Sequence, residues 1–167
     1  MPSLYLIRHG IAENRENYDD GTLRPLTDEG RKKTKQVAKR LYDLGLRFDL
    51  LQTSALVRAQ QTAEIFTNVF GSPVQQSSEL APEGSFEAWL QWSTEWLSQH
   101  PQPARASLGI IGHEPDLTTW AETLLWGESK GALVLKKAGI IGLVLPESQP
   151  WTANGILFLS IPPKLLI

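Results

Sequence analysis

Hydrophobic positions along the chain alternate between short apolar runs and longer segments with helical spacing. Residues 3–7 form an apolar run that reads as a buried strand. Over residues 28–44 the spacing becomes helical, with Val37, Leu41 and Leu44 on one face. Thr27 suits the N-cap, Asp28 and Glu29 sit in the positive first turn, Lys39 and Arg40 lie in later turns, and Gly45 can close the helix in a left-handed conformation. Residues 48–52 predict a second strand and 57–70 a second helix, with Ala59, Ala63, Phe66 and Phe70 turned inward. A weaker strand at 74–77 precedes a helix over 85–99, where Phe86, Trp89, Trp96 and Leu97 make an apolar stripe. Residues 106–111 predict a fourth strand, and Pro115 at the first helical position opens a helix ending near Trp126 and Gly127. Beyond Gly127 the rhythm changes: 133–135, 140–145 and 156–161, set apart by Gly- and Pro-containing turns, read as strands closing the sheet, at least partly antiparallel.

Strand then helix, repeated, predicts an α/β three-layer sandwich with a mostly parallel central sheet, in a single domain over residues 1–167. Ligands of such sheets bind outside the carboxyl ends of the strands. Those ends carry Arg8-His9-Gly10 after the first strand, residues 54–58 after the second, Glu79 and Glu83 after the third, and Gly112-His113-Glu114 after the fourth. Two arginines, Arg8 and Arg58, and two histidines, His9 and His113, are thereby directed to one rim.

Composition removes several alternatives. The 167 residues include no cysteine, which excludes disulfides, thiolate zinc sites and cysteine nucleophiles. A net charge of -2 with basic residues spread along the chain argues against nucleic acid as a partner. The apolar run at 4–7 stops at Arg8 with no basic leader and no small-residue cleavage pattern, so it does not read as a signal peptide. The longest uncharged apolar run, 138–146, is far short of the roughly 18 residues of a membrane span, and a cytoplasmic location is expected.

The chemistry that suits the four rim residues is phosphoryl transfer, in which a dianion needs several fixed donors while an uncharged nucleophile attacks phosphorus. A neutral imidazole whose far nitrogen donates to a carbonyl can be that nucleophile. Arginine forks match phosphate oxygens, and a second histidine, protonated beside the phosphate, adds a donor. Plainer roles stand beside these. Arg58 could pair with Glu64 or Asp49, and His113 could cap the helix that follows it. Arg24 could guide substrate or pair with Asp19 or Asp20. Glu79, Glu83 and Glu114 could be solvated carboxylates rather than acids. His100 sits where a cation meets the last carbonyls of a helix, and nothing nearby makes a metal set. Trp92 and Trp151 are candidates for an exposed docking surface.

With those residues in place, the chain resembles the histidine phosphatase superfamily, also called phosphoglycerate mutase-like. Leu6-Ile7-Arg8-His9-Gly10 matches the opening motif whose histidine is phosphorylated, and residues 54–63 match the segment carrying the second phosphate-binding arginine, here Arg58. Gly112-His113 matches the segment of the second pocket histidine, and Leu26-Thr27-Asp28-Glu29-Gly30 fits the start of the first helix. Ala55 departs from the usual proline. Within the superfamily the chain is most similar to the short SixA-type phosphohistidine phosphatases, through Arg24-Pro25-Leu26-Thr27, Glu79-Leu80-Ala81-Pro82 and a length with no room for a capping insertion.

The resemblance implies a metal-independent phosphatase with no cofactor. His9 is its nucleophile, Arg8, Arg58 and His113 hold the phosphoryl group, Arg24 and Ser54 support binding, and Glu79 or Glu83 is the candidate acid. A phosphorylated imidazole can leave without a strong acid, and an uncapped pocket admits a protein side chain. The implied substrate is a histidine-phosphorylated signalling protein, such as a histidine-containing phosphotransfer domain. The alternatives are a small phosphate ester, or a phosphate-binding module without turnover.

Overall fold

The structure, a computed structural model, describes residues 1–167. Strands β1 (Ser3–Arg8), β2 (Leu50–Thr53), β3 (Val74–Gln76), β4 (Ser107–Gly112), β5 (Ile140–Val144) and β6 (Ile156–Ile161) form one sheet in the order β3-β2-β4-β1-β5-β6. β1, β2, β3 and β4 run parallel, whereas β5 adds antiparallel to β1 and β6 antiparallel to β5. The predicted mostly parallel sheet with antiparallel closing strands is thus what the chain forms.

Alternation along β1 divides the core. Leu4 and Leu6 pack with Trp89 and Leu97 of α3 (Phe86–Gln99) and with Leu117, Trp120 and Leu124 of α4 (Asp116–Trp126). Tyr5 and Ile7 pack on the other face with Val37 and Leu41 of α1 (Asp28–Asp43) and with Ala63 and Phe66 of α2 (Val57–Phe70). Helices therefore cover both faces, as a parallel sheet requires. Each fully buried large apolar side chain contributes about 1.5–3 kcal/mol, so these two layers hold the sheet.

The start of α1 is built by its cap and by two glycines. Thr27 Oγ1 accepts the Gly30 N–H at 2.9 Å, and Ile11 O accepts the Thr27 N–H at 3.0 Å, tying the helix to the chain leaving β1. A Cβ on Gly30 would stand 2.1 Å from Ile11 O, and one on Gly10 would stand 2.3 Å from Thr34 Oγ1. The contact at Gly30 is with backbone, which cannot swing away. Gly30→Ala is expected to destabilise the protein by about 1–3 kcal/mol in urea denaturation, and an unchanged midpoint would mean that α1 can slide.

Four expectations need correction. Residues 133–135 are not a strand; they belong to an irregular loop between α4 and β5. Leu44 is exposed, because the buried face of α1 ends at Leu41 and the helix turns into Gly45 at φ +96°. Trp151 is buried, with its indole N–H donated to Pro146 O at 2.8 Å, and Trp92 is half-buried and stacked on Trp96. His100 bonds the Asp49 carboxylate at 3.0 Å rather than the last helical carbonyls. No helix is long and apolar enough to cross a membrane.

Candidate active site

The parallel ladders bring three strand ends together. Arg8 pairs with Gly112 and Thr53 with Ile111, so the chain emerges from β1, β2 and β4 side by side. Two backbone bonds continue the ladders outward, His9 N–H to Gly112 O at 3.2 Å and Ser54 N–H to Ile111 O at 3.1 Å. His9, Ser54 and His113 are consequently neighbours, and the two imidazole centroids lie 5.2 Å apart.

The hydrogen bonds of His9 fix its tautomer. Arg58 Nε–H donates to His9 Nε2 at 3.2 Å, and a guanidinium can only donate, so Nε2 is the acceptor. The ring proton is then on Nδ1, which donates to Gly10 O at 2.7 Å. Gly10 is held in turn by its N–H to Thr62 Oγ1 at 3.1 Å, and Thr62 Oγ1 donates to Arg58 O at 2.8 Å. One turn of α2 thus aligns both the nucleophile candidate and the arginine facing it. Burial pushes the His9 imidazole down to about 3; the Gly10 bond opposes this, while His113, Arg58 and Arg8 add to it. The ring is uncharged at neutral pH.

His113 shares a hydrogen bond of 2.8 Å between its Nε2 and Ser54 Oγ, while its buried Nδ1 has no protein partner. Ser54 Oγ also accepts the Leu56 N–H at 3.1 Å, which leaves the hydroxyl proton free for the imidazole. Burial, then the charges of Arg58, Arg8 and Arg24, lower His113 to about 4. The protonated second histidine expected beside a phosphate is therefore neutral in the free protein.

Arg8 donates from Nη1 to Leu135 O at 3.0 Å, and its buried Nε has no partner. Burial lowers its proton affinity, and the nearby Glu114 carboxylate partly restores it. The loop before β5 closes this side: Ala138 N–H bonds Arg8 O at 3.0 Å and His9 O at 3.1 Å. Sequence reasoning missed the anchor of that loop. Glu122, buried on α4, accepts N–H bonds from Gly131 at 2.7 Å, Ala132 at 3.0 Å and Leu133 at 2.9 Å, besides Lys130. An acid among Trp120, Ala121 and Leu124 on an apolar helix was the available signal.

The remaining candidates separate. Arg58 pairs with neither Glu64 nor Asp49; its Nη1 donates to Gly21 O at 3.1 Å. Arg24 makes no ion pair with Asp19 or Asp20 and lines the same cleft as Arg58, with Nη1 on Glu13 O at 3.1 Å. Glu79 spends its carboxylate on the Ser85 N–H at 3.2 Å and on Ser78 Oγ at 3.3 Å. Glu83 is exposed, and it is its backbone N–H, not its carboxylate, that is bonded, to Asp116. Glu114 holds the start of α4 through the Thr118 N–H at 2.9 Å and Thr118 Oγ1 at 2.7 Å.

A parallel sheet whose strand ends gather two neutral imidazoles and several unpaired guanidinium groups defines the class, an α/β protein with the donor set of a phosphoryl-transfer site. Comparison with known sequences supplies the family: the profile of the histidine phosphatase superfamily (branch 1) matches residues 4–124. The chain belongs to that superfamily. An uncharacterized protein of Picosynechococcus sp. is 44% identical over 166 residues, covering 98% of each chain. A 2,3-bisphosphoglycerate-dependent phosphoglycerate mutase of Bartonella henselae is 42% identical over 80 residues, 47% of this chain and 37% of that one. Among solved structures, the protein histidine phosphatase SixA complexed with tungstate superposes with a TM-score of 0.84 at 23% identity over 99% of both chains. The alpha-ribazole phosphatase of Shigella flexneri does so at 0.68, with 20% identity over 96% of both. These likenesses establish a common fold.

Proposed function

We propose that this chain, a single domain over residues 1–167, is a phosphohistidine phosphatase acting on a histidine-phosphorylated protein through a covalent phosphohistidine on His9. The observation that carries the reading is the fixed tautomer of His9, with Nδ1–H on Gly10 O and the Nε2 lone pair facing Arg58. In the first step Nε2 attacks phosphorus and the P–N bond to the substrate imidazole breaks. The bonding pair stays on the leaving nitrogen, and the leaving ring keeps the proton already on its other nitrogen. Arg8 and Arg58 take the phosphoryl oxygens. The arriving dianion offsets the cationic repulsion on His113, which then takes up a proton and donates to a third oxygen. Ser54 orients that ring. In the second step water attacks phosphorus, the pair returns to His9 Nε2, and inorganic phosphate leaves as the dihydrogen monoanion carrying both protons of the water, while His113 returns its extra proton to solvent. No metal ion enters either step.

The choice of leaving group is supported by what the carboxylates do. Glu79 lines a small cavity with His113 but its carboxylate is engaged by the Ser85 N–H and Ser78 Oγ, Glu114 is held by Thr118, and Glu83 is exposed, so none of the three is a carboxylate free of other hydrogen bonds and shielded from water. An alkoxide needs such an acid, whereas an imidazole already protonated on its second nitrogen does not. Phosphate release from a histidine-phosphorylated domain and from p-nitrophenyl phosphate, measured in parallel without added metal, tests the proposal. The expected kcat/KM is higher for the protein. Preference for the ester moves the function to a small-molecule phosphatase, and phosphate binding without release from either substrate makes the chain a binding module.

A further inference from the structure

A cleft of about 460 Å3 lies beside Arg58, lined also by Arg15 and Arg24 and by Asp19 and Asp20. Arg58 belongs to both places, since its Nε bonds His9 while its Nη1 bonds Gly21 O in the cleft wall. Anything bound in the cleft therefore lies beside a phosphoryl group on His9. Arg15 is packed against that wall: a Cβ on Gly21 would stand 2.3 Å from Arg15 Nη1 and 2.6 Å from its Cζ. The guanidinium thus covers Gly21, and glycine is the residue that leaves room for it.

None of these cations forms an ion pair within the protein, although the Asp20 carboxylate in the same cleft feels the charge of Arg15 at longer range. The two ion pairs in the molecule, Lys33 with Glu29 and His100 with Asp49, lie elsewhere. Asp20 turns back on its own 3-10 turn, where Oδ1 accepts the Thr22 N–H at 2.9 Å and Thr22 Oγ1–H at 2.6 Å. Arg24 spends one N–H on Glu13 O, and its buried Nε has no partner. Repulsion among the three is felt at Arg58, whose proton affinity falls to about 10 through burial first and then through Arg24 and Arg15. Arg8 and Arg58, with His113, already supply the donors that one phosphoryl group requires. Arg24 is felt at His113 as well, so it stands between that pocket and Arg15, and the charge of Arg15 and Arg24 is available to a second anionic group of the same substrate.

We infer that Arg15 and Arg24 form a second anion subsite that receives a carboxylate side chain flanking the phosphohistidine of the protein substrate. This rests on the phosphohistidine reading above and narrows it to phosphoproteins with acidic residues next to the modified histidine. Guanidinium forks match carboxylates in plane, and neither arginine has to break an ion pair to accept one. Position is consistent with the assignment: the 3-10 turns Arg15–Asn17 and Gly21–Leu23 supply Arg15 and Gly21 to the wall of the cleft that Arg58 shares.

Two histidine-phosphorylated peptides, identical except for Asp and Glu or Asn and Gln beside the phosphohistidine, compete in one reaction. The wild-type protein is expected to favour the acidic peptide by about tenfold in kcat/KM. In Arg15→Ala the ratio falls to within about twofold, the range of an unassisted exposed charge. Gly21→Ala, which displaces the Arg15 guanidinium, shifts the ratio the same way. Equal hydrolysis of both peptides by the wild type overturns the subsite and leaves the phosphohistidine function standing. A preference that survives in Arg15→Ala places its origin elsewhere and also overturns it. Hydrolysis of p-nitrophenyl phosphate but of neither peptide overturns the function and the subsite together.

Discussion

Replacing His9 with alanine is expected to lower kcat by at least about 10³-fold on any phosphorylated substrate, because it removes the atom that forms the covalent intermediate. No neighbour can take over. His113 has its Nε2 engaged with Ser54, and its ring centroid lies 5.2 Å from that of His9. Water could attack phosphorus directly in the variant, with Arg8 and Arg58 still holding the oxygens, and that sets the residual rate. The loss is chemical rather than structural, since Gly10 remains tied to α2 through Thr62 Oγ1. Single-turnover phosphate release, a thermal melt and mass spectrometry for an acid-labile phosphoryl adduct, run on both proteins, separate the two causes. The wild type forms the adduct, whereas His9→Ala melts within a few degrees of it and forms none. A variant with near-normal turnover would remove the covalent route altogether.

The parts of this molecule legible in the sequence are those where one physical rule dominates. Strand ends could be read because a buried parallel strand has to stop where polar residues begin, and Arg8, Ser54 and Gly112 mark those stops. The rim followed, since parallel strands open on one side. Leu133, Val134 and Leu135 misled because an apolar triplet looks alike in a strand and in a loop that buries one side chain; here Leu135 is buried while Val134 is 68% exposed. That loop follows a carboxylate rather than a ladder, and no local periodicity records a contact from residue 122 to residues 130–133. Arg15 was overlooked for a related reason. It lies in a turn without hydrophobic rhythm, and its meaning depends on Gly21 and Arg58, which the fold brings to it.

Glu122→Gln carries the second large effect. The carboxylate lies buried on α4 and is the acceptor for the backbone N–H groups of Lys130, Gly131, Ala132 and Leu133. Glutamine keeps the shape but turns one oxygen into an NH2 group that faces donors, so the two backbone N–H groups on that side lose their acceptor. Hydrogen bonds to a charged acceptor contribute about 1.5–3 kcal/mol each, and allowing for partial relaxation of the loop toward water the expected loss is about 2–4 kcal/mol at pH 7. Activity falls as well, because the same loop presents Leu135 O to Arg8 Nη1 and Ala138 N–H to the carbonyls of Arg8 and His9. A rise in KM larger than the fall in kcat is the signature of a loosened Arg8. The pH dependence identifies the source. The Leu133 N–H, followed by the other three, holds the Glu122 carboxyl below its ordinary value against the opposing cost of desolvation. A depressed folded pKa gives stability that is complete above the unfolded value of about 4.3 and is lost as pH falls through the folded one. Urea denaturation of both proteins from pH 7 downward should therefore show the gap between them narrowing in acid, as the wild-type carboxylate takes up the proton that removes its advantage. A gap that stays constant across that range would mean that packing around α4, and not the charge of Glu122, holds the loop against Arg8.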